Sequence, residues 1–241
     1  MSRVALITGA GSGIGRATAL LLAADGWSVA LVGRRRQLLE EVATEIGDDA
    51  RVLTIGCDIA VPEHAVGAVE ETVERFGRLD ALVNNAGYAP LAPIDRTTPE
   101  MIEECFGVNA VGPANLIAAA WPVFMRQAMR AGGAEARATI VNVSSMATKD
   151  PFPGFFAYAA AKAGVNLMAV SCAKEGAAIG VRAFAVAPGA VETPMFRGLF
   201  SEQAVGRERT LTPEHVAAVI AQCIRGERDA ENGRVIWLPS P

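Results

Sequence analysis

Histidine and tyrosine each occur only twice in the 241 residues, and cysteine four times. His64 and His215 both fall near expected helix starts, which makes a metal cluster or a Ser-His-Asp triad hard to build. A Gly-x-Ser-x-Gly nucleophile elbow is also missing. The cysteines, Cys57, Cys105, Cys172 and Cys223, show neither Cys-x-x-Cys spacing nor the density of a disulfide scaffold, so they read as buried thiols in a reducing compartment. Positive charge is short as well: 22 Lys and Arg stand against 26 Asp and Glu, a net charge of −4 without a basic tail. That excludes a nucleic-acid partner, which asks for a basic face. No apolar run approaches the roughly 18 residues of a membrane span, and Val4 to Ile7 lead straight into a glycine turn without a signal-peptide core. The expectation is a cytoplasmic protein with no membrane partner. No linker or low-complexity stretch divides the chain, so residues 1–241 read as one domain.

What is present is apolar. A hydrophobic content of 51% suits an α/β protein whose strands are covered on both faces and therefore read as unbroken apolar runs. Residues 3–8 form the first such run. Gly9, Gly11, Gly13 and Gly15 follow, with Ser12 and Ile14 between them, and a helix is expected over 16–25. Strand, glycine loop and helix in that order suit a dinucleotide, because glycine lets backbone N–H groups approach a pyrophosphate resting on the positive helix end. The spacing departs from Gly-x-Gly-x-x-Gly, and no Gly-Lys-Ser/Thr follows to make a nucleoside-triphosphate loop.

The second strand, 28–32, ends in Gly33-Arg34-Arg35-Arg36. An NAD site expects an acidic residue at this strand end for the ribose 2′-hydroxyl. Gly33 stands there instead, and arginines at a helix start oppose the helix dipole unless an anion sits among them. A ribose 2′-phosphate is such an anion; a solvated turn is the plainer alternative. A third strand over 51–55 leads to Asp58 and Ile59, where Asp58 can reach an adenine amino group or cap the helix expected over 62–76. A fourth, 79–83, ends in Asn84-Asn85-Ala86-Gly87, small enough for a cofactor ribose to lie close to the backbone, or for a plain turn. Helices over 100–106 and onward to about residue 129 meet at Asn109. Strand 181–187 leads to Pro188-Gly189-Ala190-Val191-Glu192-Thr193, opening a loop over about 189–211 that reads as a substrate lid. The helix 213–225 and strand 234–238 close the sheet.

Between these lie the groups with chemistry. Tyr158 and Lys162 are four apart, on one face of a helix, and a nearby ammonium favours the phenolate, which makes a tyrosine a usable acid and base. Ser144 and Ser145 place hydroxyls at the end of the strand 139–143, where ligands of open α/β sheets sit. A helix with one half-buried tyrosine and one solvated lysine is the alternative for the pair alone.

Together these residues resemble the short-chain dehydrogenases/reductases over the length of the chain. The shared features are Thr8-Gly-x-x-x-Gly-Ile-Gly15, Asp58, Asn84-Asn-Ala-Gly87, Asn109, Ser145, Tyr158-x-x-x-Lys162, and Pro188-Gly189 to Thr193. The resemblance implies a doubly wound Rossmann-type α/β domain with a seven-stranded, mostly parallel sheet and helices on both faces. It implies that Tyr158 passes a proton to the substrate oxygen, that Ser145 rather than Ser144 hydrogen-bonds that oxygen, that Lys162 holds the nicotinamide ribose and lowers the Tyr158 pKa, and that Asn109 anchors a relay water. Cofactor contacts are implied for Gly9, Ser12, Gly13, Ile14, Gly15, Arg34, Arg35, Asp58, Ile59, Asn85, Ala86, Gly87, Tyr158, Lys162, Pro188, Gly189, Val191 and Thr193. Gly33 and Arg34 point to NADP(H) over NAD(H), although Ser12 stands where some NADP-preferring members carry a second basic residue. A homodimer or homotetramer is implied too, but the C-terminal sequence lacks the glycine-rich ending of many tetrameric relatives.

Phe152, Phe155, Phe156, Tyr88, Met195 and Phe196 lie around the expected site, which suggests a hydrophobic carbonyl or secondary alcohol as the small-molecule substrate. These aromatics can equally pack a lid or an interface. No charged residue is clearly placed to bind a carboxylate, with Lys149 as the one candidate. The competing readings are an NAD(H)-dependent alcohol dehydrogenase of the same family, epimerisation, dehydration or enoyl reduction on the same scaffold, and a dinucleotide-binding sensor without catalysis.

Overall fold

The computed structural model describes residues 2–131 and 137–241. Seven short apolar runs become strands: β1 (Val4–Thr8), β2 (Ser28–Gly33), β3 (Val52–Gly56), β4 (Ala81–Asn84), β5 (Ala138–Val143), β6 (Val181–Pro188) and β7 (Val235–Leu238). All are parallel, in the order β3-β2-β1-β4-β5-β6-β7. Parallel strands need crossovers, and the helices that supply them cover both faces of the sheet. Alternate residues of β1 divide between two cores. Ala5 and Ile7 pack with α1 (Gly13–Ala24), α2 (Arg36–Ile46) and α8 (Pro213–Arg225). Val4 and Leu6 pack with α3 (Pro62–Phe76), α5 (Gly112–Ala131) and α6 (Phe156–Gly176). This is the doubly wound Rossmann-type arrangement, and its direction of winding reverses between β1 and β4. The crevice at the carboxyl ends of those two strands is where such sheets bind ligands.

Local chemistry fixes the element ends. Two further helices, α4 (Pro99–Phe106) and α7 (Pro194–Leu199), begin like α8 on a Thr-Pro pair, whose threonine accepts a hydrogen bond from the third helical N–H. Helix α1 starts three residues earlier than its sequence suggests, inside the glycine loop, and Ser12 makes no side-chain cap there. Between α4 and α5 the backbone widens into a π turn over Gly107–Val111. Asn109 explains it: its Nδ2 donates to the Cys105 carbonyl at 2.8 Å, taking the acceptor that its own backbone N–H would use in an α-helix.

Measured along whole helices, two stretches do reach membrane-span length and apolarity, Pro99–Ala131 and Phe156–Ile179, which corrects the reading from apolar runs alone. Both are core helices: Leu116, Ala120, Val123 and Phe124 of α5 and Ala161, Val165 and Ala169 of α6 are buried. The four thiols are unpaired; three are buried, but Cys57 is only partly so.

Candidate active site

A single cavity of about 980 Å³ runs along the carboxyl edge of the sheet, from Arg34 and Arg35 across the glycine loop to Ser145, Tyr158 and Lys162. The loop is folded as only glycine allows. Gly9 and Gly13 have φ of +65° and +54°. A Cβ on Gly15 would lie 2.3 Å from the Gly9 carbonyl oxygen, so α1 meets β1 at backbone distance. Thr8 is the pin beneath the loop, a role its sequence did not announce: buried, its Oγ1 accepts from the N–H groups of Asn85 and Ala86, both at 2.9 Å. Asn85 Nδ2 returns a bond to the Thr8 carbonyl at 2.8 Å. The backbone N–H groups at the start of α1 therefore face the cavity with no side chain capping them, a donor set that fits a pyrophosphate. Length, cradle and donors together fit a dinucleotide.

At the other end, α6 carries Tyr158 and Lys162 on its buried face, 9% and 4% exposed. Lys162 Nζ donates to the Val143 carbonyl at 2.7 Å and lies 5.9 Å from the Tyr158 ring centroid. Ser145 lies two residues beyond β5 and caps the helical turn Met146–Thr148; its Oγ accepts from the Ala147 N–H at 3.1 Å, which leaves its own proton to donate. The electrostatics depart from expectation. Burial pushes the Tyr158 phenol up to about 12, with the Ser145 hydroxyl pulling the other way, and burial lowers Lys162 to about 8. In this structure Lys162 does not hold Tyr158 below its ordinary value; both groups have left water, and burial shifts each towards its neutral form, although Lys162 remains an ammonium at neutral pH.

Two of the expected site residues lie outside the cavity wall. Gly15 acts from beneath the loop. Asn109 is fully buried, donating to the Tyr88 carbonyl at 2.6 Å as well as to Cys105, while its Oδ1 accepts from the Tyr88 N–H at 3.3 Å. A Cβ on Gly87 would meet this Oδ1 at 3.2 Å and Lys162 Nζ at 3.7 Å, so Gly87, Asn109 and Lys162 converge on one point. At the far end Arg34 reaches Asp58 (4.0 Å) and Glu104 (3.7 Å), and Arg35 Nη2 reaches Ser12 Oγ at 3.4 Å. Ser12, Gly13, Ile14, Ile59, Ala86, Pro188, Gly189, Val191 and Thr193 all line the same cavity.

The chain matches the short chain dehydrogenase family over residues 3–204. It is 37% identical to a 3-oxoacyl-(acyl-carrier-protein) reductase of Thermotoga maritima over 98% of this chain and 96% of that one. It is also 37% identical to sulfoacetaldehyde reductase 2 of Chromohalobacter salexigens over 80% of this chain and 74% of that one. The fold superposes on a 3-ketoacyl-(acyl-carrier-protein) reductase from Brucella melitensis, solved with NADH, at TM-score 0.90 and 30% identity over 98% and 96% of the two chains. The chain belongs to the short-chain dehydrogenase family. It is an oxidoreductase of that family.

The substrate end of this short-chain dehydrogenase keeps four of the six apolar side chains that its sequence sets around the site. Phe152, Phe155, Met195 and Phe196 line the cavity, but Tyr88 and Phe156 do not: Phe156, first residue of α6, is half exposed. Lys149 is not in the wall either, lying over the Trp237 ring at 5.8 Å. Leu199 and Phe200 take their place, from a segment whose sequence gives no periodic signal. Phe155 packs 5.3 Å from the Tyr158 ring and edge-on to Phe200 at 6.4 Å, and Phe200 lies 5.2 Å from Phe196. An aromatic wall thus runs from the phenol into the 189–211 segment.

Proposed function

We propose that this enzyme reduces the carbonyl of an apolar small molecule with NADP(H), using Tyr158 as general acid. The observation that carries the reading is the convergence of a proton-loaded phenol, a free serine proton and a buried lysine at the end of a dinucleotide-sized cavity. A bound nicotinamide dinucleotide supplies hydride to the carbonyl carbon. Tyr158 gives its proton to the carbonyl oxygen, and Ser145, its hydroxyl oriented by the Ala147 N–H, donates a hydrogen bond to the same oxygen. Lys162, steadied by Val143, keeps two N–H donors for the nicotinamide ribose and the Asn109 side of the site. Asn109 anchors a relay water there. Support for NADP(H) comes from Gly33, which leaves room where an acid would repel phosphate, and from Arg34 and Arg35 beside it. The NADH bound to the Brucella relative favours the other cofactor, and the Asp58 and Glu104 carboxylates compete for Arg34.

One experiment addresses both points. Purified wild type and Tyr158→Phe are titrated with NADPH and with NADH by tryptophan fluorescence, then assayed against a panel of apolar ketones and aldehydes. The expected outcome is tighter NADPH binding in both proteins, with turnover reduced at least about 100-fold in Tyr158→Phe. Equal turnover in the two proteins overturns the role of Tyr158, and tighter NADH binding overturns the cofactor assignment.

A further inference from the structure

Helix α7 has six residues, too few to persist without help. Thr193 caps its start, accepting from the Phe196 N–H at 3.2 Å, and the Thr193 methyl faces Gly13 of the glycine loop. The rest of the help comes from Arg197. Its Nε donates to Glu192 Oε1 at 2.8 Å and its Nη2 to Glu192 Oε2; its Nη1 donates to the Val205 carbonyl at 2.7 Å and the Phe200 carbonyl at 3.4 Å. The two charged side chains are only 20% and 23% exposed, a setting in which a two-pronged ion pair is strong and directional. Glu192 is itself fixed, since its N–H donates to the Leu211 carbonyl at 2.9 Å and Leu211 returns a bond to Ala190 at 2.8 Å. Arg197 therefore ties a rigid stalk to the turn after α7.

What it holds is the aromatic wall. The guanidinium carbon lies 5.2 Å from the centre of the Phe196 ring, and the carbonyl it grips at Phe200 belongs to the ring that meets Phe155. Arg197 is not among the cavity-lining residues, so it touches no substrate; Phe196, Leu199 and Phe200 do the touching. The Glu192 carboxyl is held below its ordinary value by this guanidinium, so the pair stays charged at neutral pH.

We propose that Arg197 is a positioning residue for substrate selection: by locking α7 and the turn to Val205 onto Glu192, it keeps the Phe196–Phe200 wall in place, and this wall makes the enzyme prefer carbonyl compounds bearing a long or bulky apolar group. The selectivity part rests on the carbonyl-reduction reading; the bracing part does not. Tyr158 is carried by α6, so a ketone too short to reach Phe200 does not sense the brace.

The test compares wild type, Arg197→Ala, Arg197→Lys and Glu192→Gln on 2-butanone and 2-decanone with NADPH, alongside chymotrypsin cleavage after Phe196 and Phe200. Wild type is expected to favour 2-decanone. Arg197→Ala is expected to lose about tenfold or more of that preference through KM, with kcat on 2-butanone within about twofold. Arg197→Lys should behave nearly as badly, because an ammonium cannot span the fork and both carbonyls, and Glu192→Gln should be intermediate. Cleavage should become several-fold faster in Arg197→Ala, with NADPH affinity unchanged. Equal losses on both ketones, or an unchanged preference, overturns the proposal. If neither ketone is turned over by wild type, the carbonyl reading fails while the digestion still decides the brace: faster cleavage upholds it, and unchanged cleavage overturns it.

Discussion

Tyr158 and Lys162 leave water together, and the two pay different penalties. At neutral pH the phenol keeps its proton, the form an acid needs. The ammonium is the strained partner: a fall from 10.5 to about 8 corresponds to about 3 kcal/mol of lost stability at pH 7. Its hydrogen bond to Val143 returns about 1 kcal/mol. Lys162→Met is therefore expected to be more stable than wild type by about 2 kcal/mol at pH 7 while losing turnover. The sign follows from proton binding. The unfolded chain holds the lysine proton up to its ordinary value and the folded one only to about 8, so the penalty is full below pH 8 and fades as pH rises towards 10.5. Urea denaturation of both proteins at pH 7 and pH 10 checks this; a gain that grows with pH contradicts it. Sequence alone put these two residues on one helix face but misjudged their electrostatics. Spacing reveals that two groups meet, whereas pKa depends on how much water they have lost.

Gly15 and Gly67 contrast what a glycine does in two helices. A Cβ at Gly15 meets a backbone oxygen at 2.3 Å, whereas one at Gly67 in α3 meets nothing within 4 Å. Gly15→Ala is expected to destabilise by about 1–3 kcal/mol and to weaken NADPH at least tenfold, since β1 and α1 must part to admit the methyl. Gly67→Ala is expected to stabilise by about 0.5–1 kcal/mol without touching binding. Thermal melts with a cofactor titration distinguish the two, and similar effects from both would refute the close-approach reading. Elements of this kind were legible wherever their ends carried chemistry: Pro62 and Gly77 bound α3 at the expected residues. The π turn at Asn109 was not legible, because it depends on which carbonyl the amide takes. The Glu192–Arg197 fork was not legible either, since a five-residue separation follows no helix or strand period. The side on which Phe156 falls was not legible for a related reason: it opens a helix, and only the packing of α6 decides which way it faces.

The two edges of the sheet divide the labour of the molecule. The carboxyl edge carries the glycine loop, Asn85, Ser145 and the segment 189–211. At the opposite edge the buried Asp80 accepts from the Val4 N–H at 2.8 Å and takes a two-pronged bond from Arg78, tying β1 to β4 away from the cavity wall. Asp80→Ala is expected to cost about 2–4 kcal/mol of stability, with KM and kcat unchanged at 25 °C. A shift in KM matching the loss of stability would deny that separation.

The strand order also sets a schedule. Strands β3, β2 and β1 are complete once residue 56 has emerged, and β4 adds to them by residue 84, but its neighbour β5 does not begin until residue 138. At synthesis rates of about 5–20 residues per second, the outer edge of β4 stays open for several seconds while α4 and α5 are made. An unpaired parallel edge is a template for association with another chain. The nascent protein is therefore most exposed to aggregation while β4, one wall of the crevice, is already paired with β1 but still lacks its outer neighbour.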